Sequence, residues 1–313
     1  MRFLMKPMRG KSSAGLHRSK SVVFVFLAPA FILFTTIVIL PVLRAFPMAL
    51  TNYTLMKGPP RFIGLDNFIH LFQDNSFYTA LKNNLIIAVA GGIALFLFAF
   101  LFAVSMMSKR IRFKGLFQSL IFLPYCFSDV GVGLFWIFFL NPGFGALNGF
   151  MRQVGLKSWA LNWLGDPKLA MVTIIYVILW TSIGFYMIFL MAGIKSIPDT
   201  LFDAAHIDGA NEVQTFFYLT LPLIRDYIST AIILWIISAI NTFGIVFVLT
   251  RGGPGDATHT VTTYMVTVAF AVSGLNATYR IGYGTAISFV IFILILIASI
   301  FYFRLARKEA IEF

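Results

Sequence analysis

The sequence is poor in charged residues and in cysteine. Only 12% of its 313 residues are Asp, Glu, Lys or Arg, whereas soluble globular domains carry about 25%. Because 59% of the residues are hydrophobic, the composition excludes an ordinary water-soluble enzyme. It also excludes a disordered chain, which requires low hydrophobicity. The one cysteine, Cys126, excludes an internal disulfide framework, and no Cys and His cluster has zinc-site spacing.

Acidic residues are fewer than basic ones, and the formal net charge is +12. Nucleic-acid binding requires dense basic patches on a polar fold. Here the basic residues stand in short stretches between apolar runs, a distribution that is typical of a protein inserted in a membrane. We therefore expect membrane lipid, and no nucleic acid, as a partner.

Six apolar runs are long enough to cross a bilayer as helices, since a span needs about 20 residues. The first run is too long for a signal peptide and lacks a small-residue cleavage site, so we interpret it as an uncleaved anchor. The sequence predicts an all-α membrane protein with a basic N-tail (1–21), a six-span domain (22–303) and a C-tail (304–313). The predicted spans are about 22–43, 85–107, 116–140, 170–194, 223–250 and 283–303.

Lys and Arg are unevenly distributed among the connecting segments. Most of the 24 basic residues lie in the two tails, the short loop after the second run and the loop after the fourth. Cytoplasmic loops of membrane proteins carry this excess. The distribution therefore predicts that both termini are cytoplasmic.

Catalytic motifs are missing from the sequence. Gly10-Lys11-Ser12 matches only the end of a phosphate-binding P-loop, and no strand precedes it. There is no metalloprotease His-Glu-x-x-His and no nucleophile elbow. We expect a non-catalytic chain without a cofactor or a metal of its own.

The segment that joins the fourth and fifth runs is unusually polar for so apolar a chain. It is predicted to form two short helices that meet at Gly209, a residue suited to the left-handed position that ends a helix. Ser196 with Asp199 fits a capping box for the first helix, and Asn211 with Gln214 fits one for the second. Periodicity alone leaves two interpretations open, an ordinary polar loop or a surface that a partner approaches closely.

The same segment, 196–222, resembles the EAA loop of ABC-importer permeases. The family pattern is Glu-Ala-Ala, three residues, Gly, and then nine residues before an Ile-x-Leu-Pro ending, which Leu221 and Pro222 match here. Asp203 replaces the usual Glu, which keeps the charge and shortens the side chain by one methylene. The residues for which this resemblance implies coupling to an ATPase are Asp203, Ala204, Ala205, Asp208, Gly209 and Ala210.

Further stretches narrow the resemblance to carbohydrate-importer permeases of the maltose and oligosaccharide type. They lie at 64–68, 122–124, 141–148, 250–254 and 282–288. The resemblance implies a type I importer permease fold in a bacterial or archaeal plasma membrane, with this chain forming half of the pore. It also implies a second permease, favoured as a different chain, two ATPase subunits that bind ATP and magnesium, and an external sugar-binding protein.

Polar and aromatic residues of the fourth and fifth runs are candidates for the sugar path. Sugar hydroxyls need hydrogen-bond partners and sugar rings need aromatic faces, and the resemblance implies that these two runs line the pocket. Three-residue spacing in the fifth run predicts one helical face. The alternative is hydrogen bonding between helices. The candidates are Tyr176, Trp180, Ser182 and Phe185, with Trp235, Ser238, Asn241 and Thr242.

Asp129 is the only acidic residue placed well inside a predicted span. An ionisable group within a membrane is a functional hypothesis by default. It is open whether Asp129 binds a coupling cation or proton, caps a helix break near Pro124, Gly131 and Gly133, or is a structural carboxylate. The first of these would make the chain a secondary, ion-coupled transporter.

Overall fold

The computed structural model describes residues 20–55, 58–107, 111–270 and 279–307. These residues form helices and connecting segments, and the extended pairing among them is a single antiparallel bridge between Thr51 and Phe62. The predicted all-helical class is therefore confirmed.

The chain divides into two units, residues 1–47 and 48–313. In the first unit, helix α1 (Lys20–Phe34) continues through the π-helical turns Thr35–Ile39 into α2 (Leu40–Ala49), whose last two residues belong to the second unit. The stretch Phe24–Ala49 is 26 residues long with a mean hydropathy of 2.5. It is long and apolar enough to cross a membrane.

The second unit contains the other helices. The π-helical turns Ile87–Gly91 join α4 to α5, the turns Thr215–Thr220 join α11 to α12, and the 3-10 turn Leu123–Cys126 follows α6. The helices are α3 (Asp66–Leu71), α4 (Asn75–Ile86), α5 (Gly92–Met107), α6 (Lys114–Phe122), α7 (Asp129–Phe139), α8 (Ala146–Gln153), α9 (Pro167–Lys195), α10 (Asp199–Ile207), α11 (Glu212–Gln214), α12 (Leu221–Leu223), α13 (Arg225–Ile240), α14 (Gly244–Leu249), α15 (Val261–Phe270) and α16 (Ile281–Arg307).

Five continuous stretches of the described residues are long and apolar enough to cross a membrane. Besides Phe24–Ala49 they are Asn75–Met107, Pro167–Lys195, Arg225–Leu249 and Ile281–Ile300. The stretch Asn75–Met107 starts ten residues before the run expected from hydropathy. It does so because Asp74 caps the helix by accepting the backbone N–H groups of Ser76 and Phe77. A capped helix continues through polar residues that a hydropathy window passes over.

The third predicted span is broken in the middle. Its two halves, α6 and α7, are bent by 98°. Pro124 lies in the 3-10 turn between them, and Ser128 restarts the helix by accepting the N–H of Gly131 at 3.2 Å. Proline supplies no N–H to continue a helix, and serine is a favoured N-cap. The cap is thus Ser128, whereas Asp129 stands in the first turn of α7.

The loop between α9 and α13 follows most of its predicted local structure. Gly209 has the expected left-handed conformation, with φ of +79°. Asn211 and Gln214 form the expected reciprocal capping box, with N···O distances of 2.8 and 2.9 Å. The predicted Ser196 box is wrong, because the Ser196 hydroxyl donates to the Gly193 carbonyl at the end of α9 and α10 starts after Pro198 without a side-chain cap.

Helix α9 lies at the centre of the larger hydrophobic core. Ile174, Val177, Met187 and Leu190 are fully buried there, and α5 packs along it. At Gly184 an added Cβ would meet the backbone of the α6 end. The small residue therefore allows the close helix contact that holds the bent third span against α9.

A polar network fastens the start of the second span to the later helices. The Asn84 amide donates to the carbonyls of Ala239 and Ile240 at 2.6 and 3.2 Å, and its oxygen accepts the N–H of Val261 at 2.7 Å. The Asn83 amide donates to the carbonyls of Ala257 and His259, both at 2.9 Å. These buried amides replace the backbone bonds missing where α13 ends and α15 begins.

Asp74 makes a second polar contact beside that network. One carboxylate oxygen accepts the hydroxyls of Tyr264 and Tyr283, and the other accepts the two N–H groups at the start of α4. Burial by itself raises the pKa of Asp74, but these hydrogen bonds outweigh it and hold the pKa below its usual value. We call Asp74, Asn83, Asn84, Tyr264 and Tyr283 the polar clamp.

Candidate functional site

A cavity of about 420 Å³ lies where two helix breaks face each other. One break is the bend between α6 and α7, and the other is the non-helical segment between α13 and α14. The middle of α9 supplies the remaining wall. The lining residues are Pro124, Tyr125, Phe127, Asp129, Ile178, Thr181, Ser182, Ser238, Asn241, Thr242, Phe243, Gly244 and Ile245.

Four of the residues expected on a sugar path line this cavity. They are Ser182 of α9 with Ser238, Asn241 and Thr242 at the end of α13. The Asn241 amide donates to the Ile237 carbonyl at 3.2 Å, and the Thr242 hydroxyl donates to the Ser238 carbonyl at 3.0 Å. These bonds stay within one helix end, so the polar groups are held in place without being tied to another helix.

Trp235 lies elsewhere, in the packed core. Its side chain is 2% exposed, and Nε1 donates to the Ala88 carbonyl at 2.9 Å. An added Cβ at Gly92 would come within 2.6 Å of that nitrogen. Each residue of an α-helix turns by about 100°, so three-residue steps drift by about 60°. Ser238 and Asn241 therefore reach the cavity while Trp235 points to α5.

The other three aromatic candidates do not line the cavity. Tyr176 and Trp180 both pack edge-to-face on Trp136, at ring-centroid distances of 5.5 and 5.6 Å. Phe185 stacks on Tyr125 at 4.9 Å with an interplanar angle of 19°. Because Tyr125 itself lines the cavity, Phe185 supports an aromatic wall that was not predicted from the sequence. The signal for it was Tyr125 beside the helix-breaking Pro124.

Asp129 belongs to one helix break and lies close to the other. It stands at the start of α7, and a Cβ at Gly244 would collide with its carboxylate. Glycine at position 244 therefore lets the restart of α14 approach Asp129 closely. The sequence does not predict that Asp129 lies on the sugar path, because Asp129 and Gly244 are far apart in the chain and only packing brings them together.

The expected coupling residues lie together on an accessible loop. Asp203, Ala204, Asp208 and Gly209 are exposed, and Ala205 and Ala210 are half-buried. A groove of about 360 Å³ separates α10 from the following helical turns and is lined by Ala205, Asp208, Gly209, Ala210, Gln214, Thr215, Tyr218 and Leu219.

Two apolar residues beside this groove were not singled out from the sequence. Ile207 is 86% exposed and Tyr218 is 82% exposed. Large apolar side chains at such exposure next to a groove are typical of a protein-docking surface. No group of acidic, His and Cys side chains in the described part of the chain has the arrangement of a metal site.

Residues 95–310 match the family described as the binding-protein-dependent transport system inner membrane component. The chain belongs to this family. Its relatives include the diacetylchitobiose uptake system permease protein NgcF of Streptomyces coelicolor, which is 32% identical over 90% of this chain and 81% of its own length. They also include the sn-glycerol-3-phosphate transport system permease protein UgpA of Escherichia coli O157:H7, 30% identical over 95% and 98% of the two chains.

A solved structure shares the fold. It is the crystal structure of a bacterial ABC transporter involved in the import of the acidic polysaccharide alginate, with a TM-score of 0.80 and 24% identity over 94% of this chain and 98% of that one. The expected ABC-importer permease fold is confirmed. The chain is a permease component of an ABC importer in a family of multi-pass membrane proteins, and these comparisons do not support the ion-coupled alternative.

Proposed function

We propose that this chain is one of two permease subunits that together enclose the path of an ATP-driven importer for sugars or oligosaccharides. The observation that carries the proposal is the polar cavity formed at two helix breaks inside otherwise apolar spans. Broken helices within a membrane are tolerated where they line a cavity. Hydroxyl and amide side chains beside aromatic rings suit a ligand rich in hydroxyl groups.

Exposure of these polar groups supports a second permease. Asp129, Ser238 and Asn241 are exposed in the single chain, although all three belong to stretches apolar enough to cross a membrane. Contact of such groups with lipid is costly. A second permease subunit facing this cavity would enclose the groups in a water-filled path. A different chain in that position remains our expectation from the outer-loop resemblance.

The proposed topology has six spans. The bent pair Lys114–Phe139 counts as one span together with the five continuous stretches. An even number puts both termini on one side, and the excess of Lys and Arg in the tails makes that side the cytoplasm of a bacterial or archaeal cell. The permease domain then extends from 22 to 303, with tails 1–21 and 304–313.

The loop 196–222 is proposed to receive the ATPase subunits. Its exposed residues Asp203, Ala204 and Gly209 lie beside the groove and the exposed Ile207 and Tyr218. Two ATPase subunits would bind ATP and magnesium, which this chain is not expected to bind. An external binding protein, as the family description implies, would deliver the sugar.

The names of the relatives do not indicate whether the transported compound of this importer is charged. NgcF is named for diacetylchitobiose, an uncharged sugar, and UgpA for a phosphorylated glycerol, yet both are similar to this chain to nearly the same extent. We propose a sugar on the basis of the hydroxyl, amide and aromatic lining of the cavity.

The test is purification of the chain from its native membrane in mild detergent, with mass spectrometry of the proteins that copurify. We expect a P-loop ATPase and a second permease, and ATP-dependent uptake after reconstitution with the binding protein. Gly209→Pro and Asp203→Lys should abolish uptake while the chain still inserts in the membrane. Normal uptake in both variants, or transport by the chain alone without ATP, would contradict the proposal.

A further inference from the structure

The described residues contribute one charged side chain to the lining of the cavity. Among the lining residues, Asp129 and Tyr125 are ionisable, and none is Lys, Arg or His. The ion pairs in the described residues join Arg225 with Asp226 and His259 with Asp256, and neither involves Asp129. The charge that this chain contributes to the cavity lining is therefore a carboxylate without a cationic partner among the described residues.

Asp129 lines the cavity at the point where a helix begins. It stands in the first turn of α7, an 11-residue helix, where the partial positive charge of the backbone N–H groups stabilises an anion. It is also exposed at the cavity rather than enclosed in the core. A carboxylate in this place accepts hydrogen bonds and donates none.

We propose that Asp129 is a specificity-determining residue that makes the cavity disfavour anionic ligands relative to uncharged sugars. The hydroxyls of an uncharged sugar can donate to the carboxylate, while Ser182, Ser238 and Thr242 supply hydroxyls that either donate or accept. A phosphate, sulfonate or carboxylate in the same cavity is repelled by Asp129, and the lining residues of this chain include no cation to offset that repulsion. This inference rests on the proposed function, because it assigns the charge class of the cargo.

The experiment measures the charge preference of the cavity without requiring the natural substrate. In the complete importer, purified with its partners and reconstituted, Cys126→Ser removes the native thiol of this chain and Ser238→Cys places a reporter in the cavity. The labelling rate is measured with uncharged methyl methanethiosulfonate and with anionic sulfonatoethyl methanethiosulfonate. Mass spectrometry of this chain gives both rates, with and without trapping by ATP and vanadate.

The ratio of the anionic to the uncharged labelling rate is the quantity compared. A change in thiol pKa affects both reagents equally and cancels in the ratio. We expect Asp129→Asn to raise the ratio roughly 3- to 30-fold, as expected for loss of one unit charge a few ångströms away. Asp129→Glu, which keeps the charge, should leave the ratio within about twofold of the parent.

A second reporter serves as the control. Ser158→Cys lies on an exposed loop outside the cavity, and its ratio should not respond to Asp129→Asn. An unchanged ratio at Ser238→Cys, an equal change at both reporters, or a cavity that neither reagent reaches in either state would overturn the proposal. Because labelling does not require transport, a complex that fails to import sugars yet shows the expected ratio would contradict the proposed function alone.

Discussion

Two polar regions of this molecule differ in how their hydrogen bonds are used. In the polar clamp, Asn84 is buried and bonds three backbone groups on two other segments of the chain. In the cavity, Asn241 is exposed and bonds only the carbonyl four residues earlier. The same side chain thus fastens helices together in one region and stays available to a ligand in the other.

This difference gives a rule for interpreting polar residues in so apolar a chain. A buried polar side chain whose donors and acceptors are all used contributes to stability, and its removal leaves unpaired backbone groups. An exposed polar side chain that bonds only its own helix contributes little to stability. Substitutions in the two regions should therefore separate the loss of fold from the loss of transport.

The largest loss of stability is expected for Trp235→Ala. Trp235 fills the space beside Gly91 and Gly92, so truncation leaves a cavity and removes the hydrogen bond to the Ala88 carbonyl. We expect a loss of about 3–5 kcal/mol, measured as a lower melting temperature and a lower yield in detergent. Tyr176→Ala, at an aromatic residue that is 55% exposed, is the matched control and should cost far less. Equal losses in the two variants would place Trp235 outside the core.

The environment of Trp235 could not be predicted from the sequence. Three-residue spacing predicts one helical face for Trp235, Ser238 and Asn241. Such spacing turns by about 60° at each step, and the positions of the neighbouring helices decide which of the three residues lines the cavity and which is buried. Local chemistry was more predictable. Gly209 and the Asn211–Gln214 box depend on residues within one turn, and the structure has both.

Long-range packing accounts for most of what was missed. Pro124 predicts a helix break in the third run, but neither the 98° bend nor the close contact of the α6 end with Gly184 of α9 can be obtained from the proline alone. The pairing of Asp129 with Gly244 likewise depends on two breaks that meet only in the folded chain. Hydropathy predicts apolar runs, but it contains no information about which interruptions face each other.

An intermediate loss of stability is expected at the polar clamp for Asp74→Asn. The change weakens the acceptor for two tyrosine hydroxyls and should cost about 1–2 kcal/mol. The parent should also lose stability in acid, because the folded pKa of Asp74 lies below its unfolded value of 3.8. The stabilisation is complete above the unfolded pKa and is lost as the pH falls through the folded pKa.

Melting temperatures measured between about pH 6 and pH 3 test this expectation. The difference between the parent and Asp74→Asn should narrow as the pH falls below about 4. Asp66→Asn, at an acidic residue in the first turn of α3 with no part in the clamp, controls for general acid effects. A difference that stays constant over this pH range would show that the Asp74 charge contributes nothing to the clamp.

The smallest change in stability, and a clear change in function, is expected for Asn241→Ala. The lost bond joins Asn241 to a carbonyl within its own helix. The free energy of unfolding should therefore fall by no more than about 0.5 kcal/mol, which is measured as a small shift in melting temperature. Uptake by the reconstituted importer should fall, because the cavity loses an amide donor and acceptor. Copurification of the partner chains should be unchanged. Asn84→Ala, in the buried region, is the comparison variant. If Asn241→Ala lowered stability as much as Asn84→Ala and left uptake intact, the hydrogen bonds of the two regions would not differ in their roles. The polar groups at the helix breaks would then stabilise the fold and would not bind a ligand.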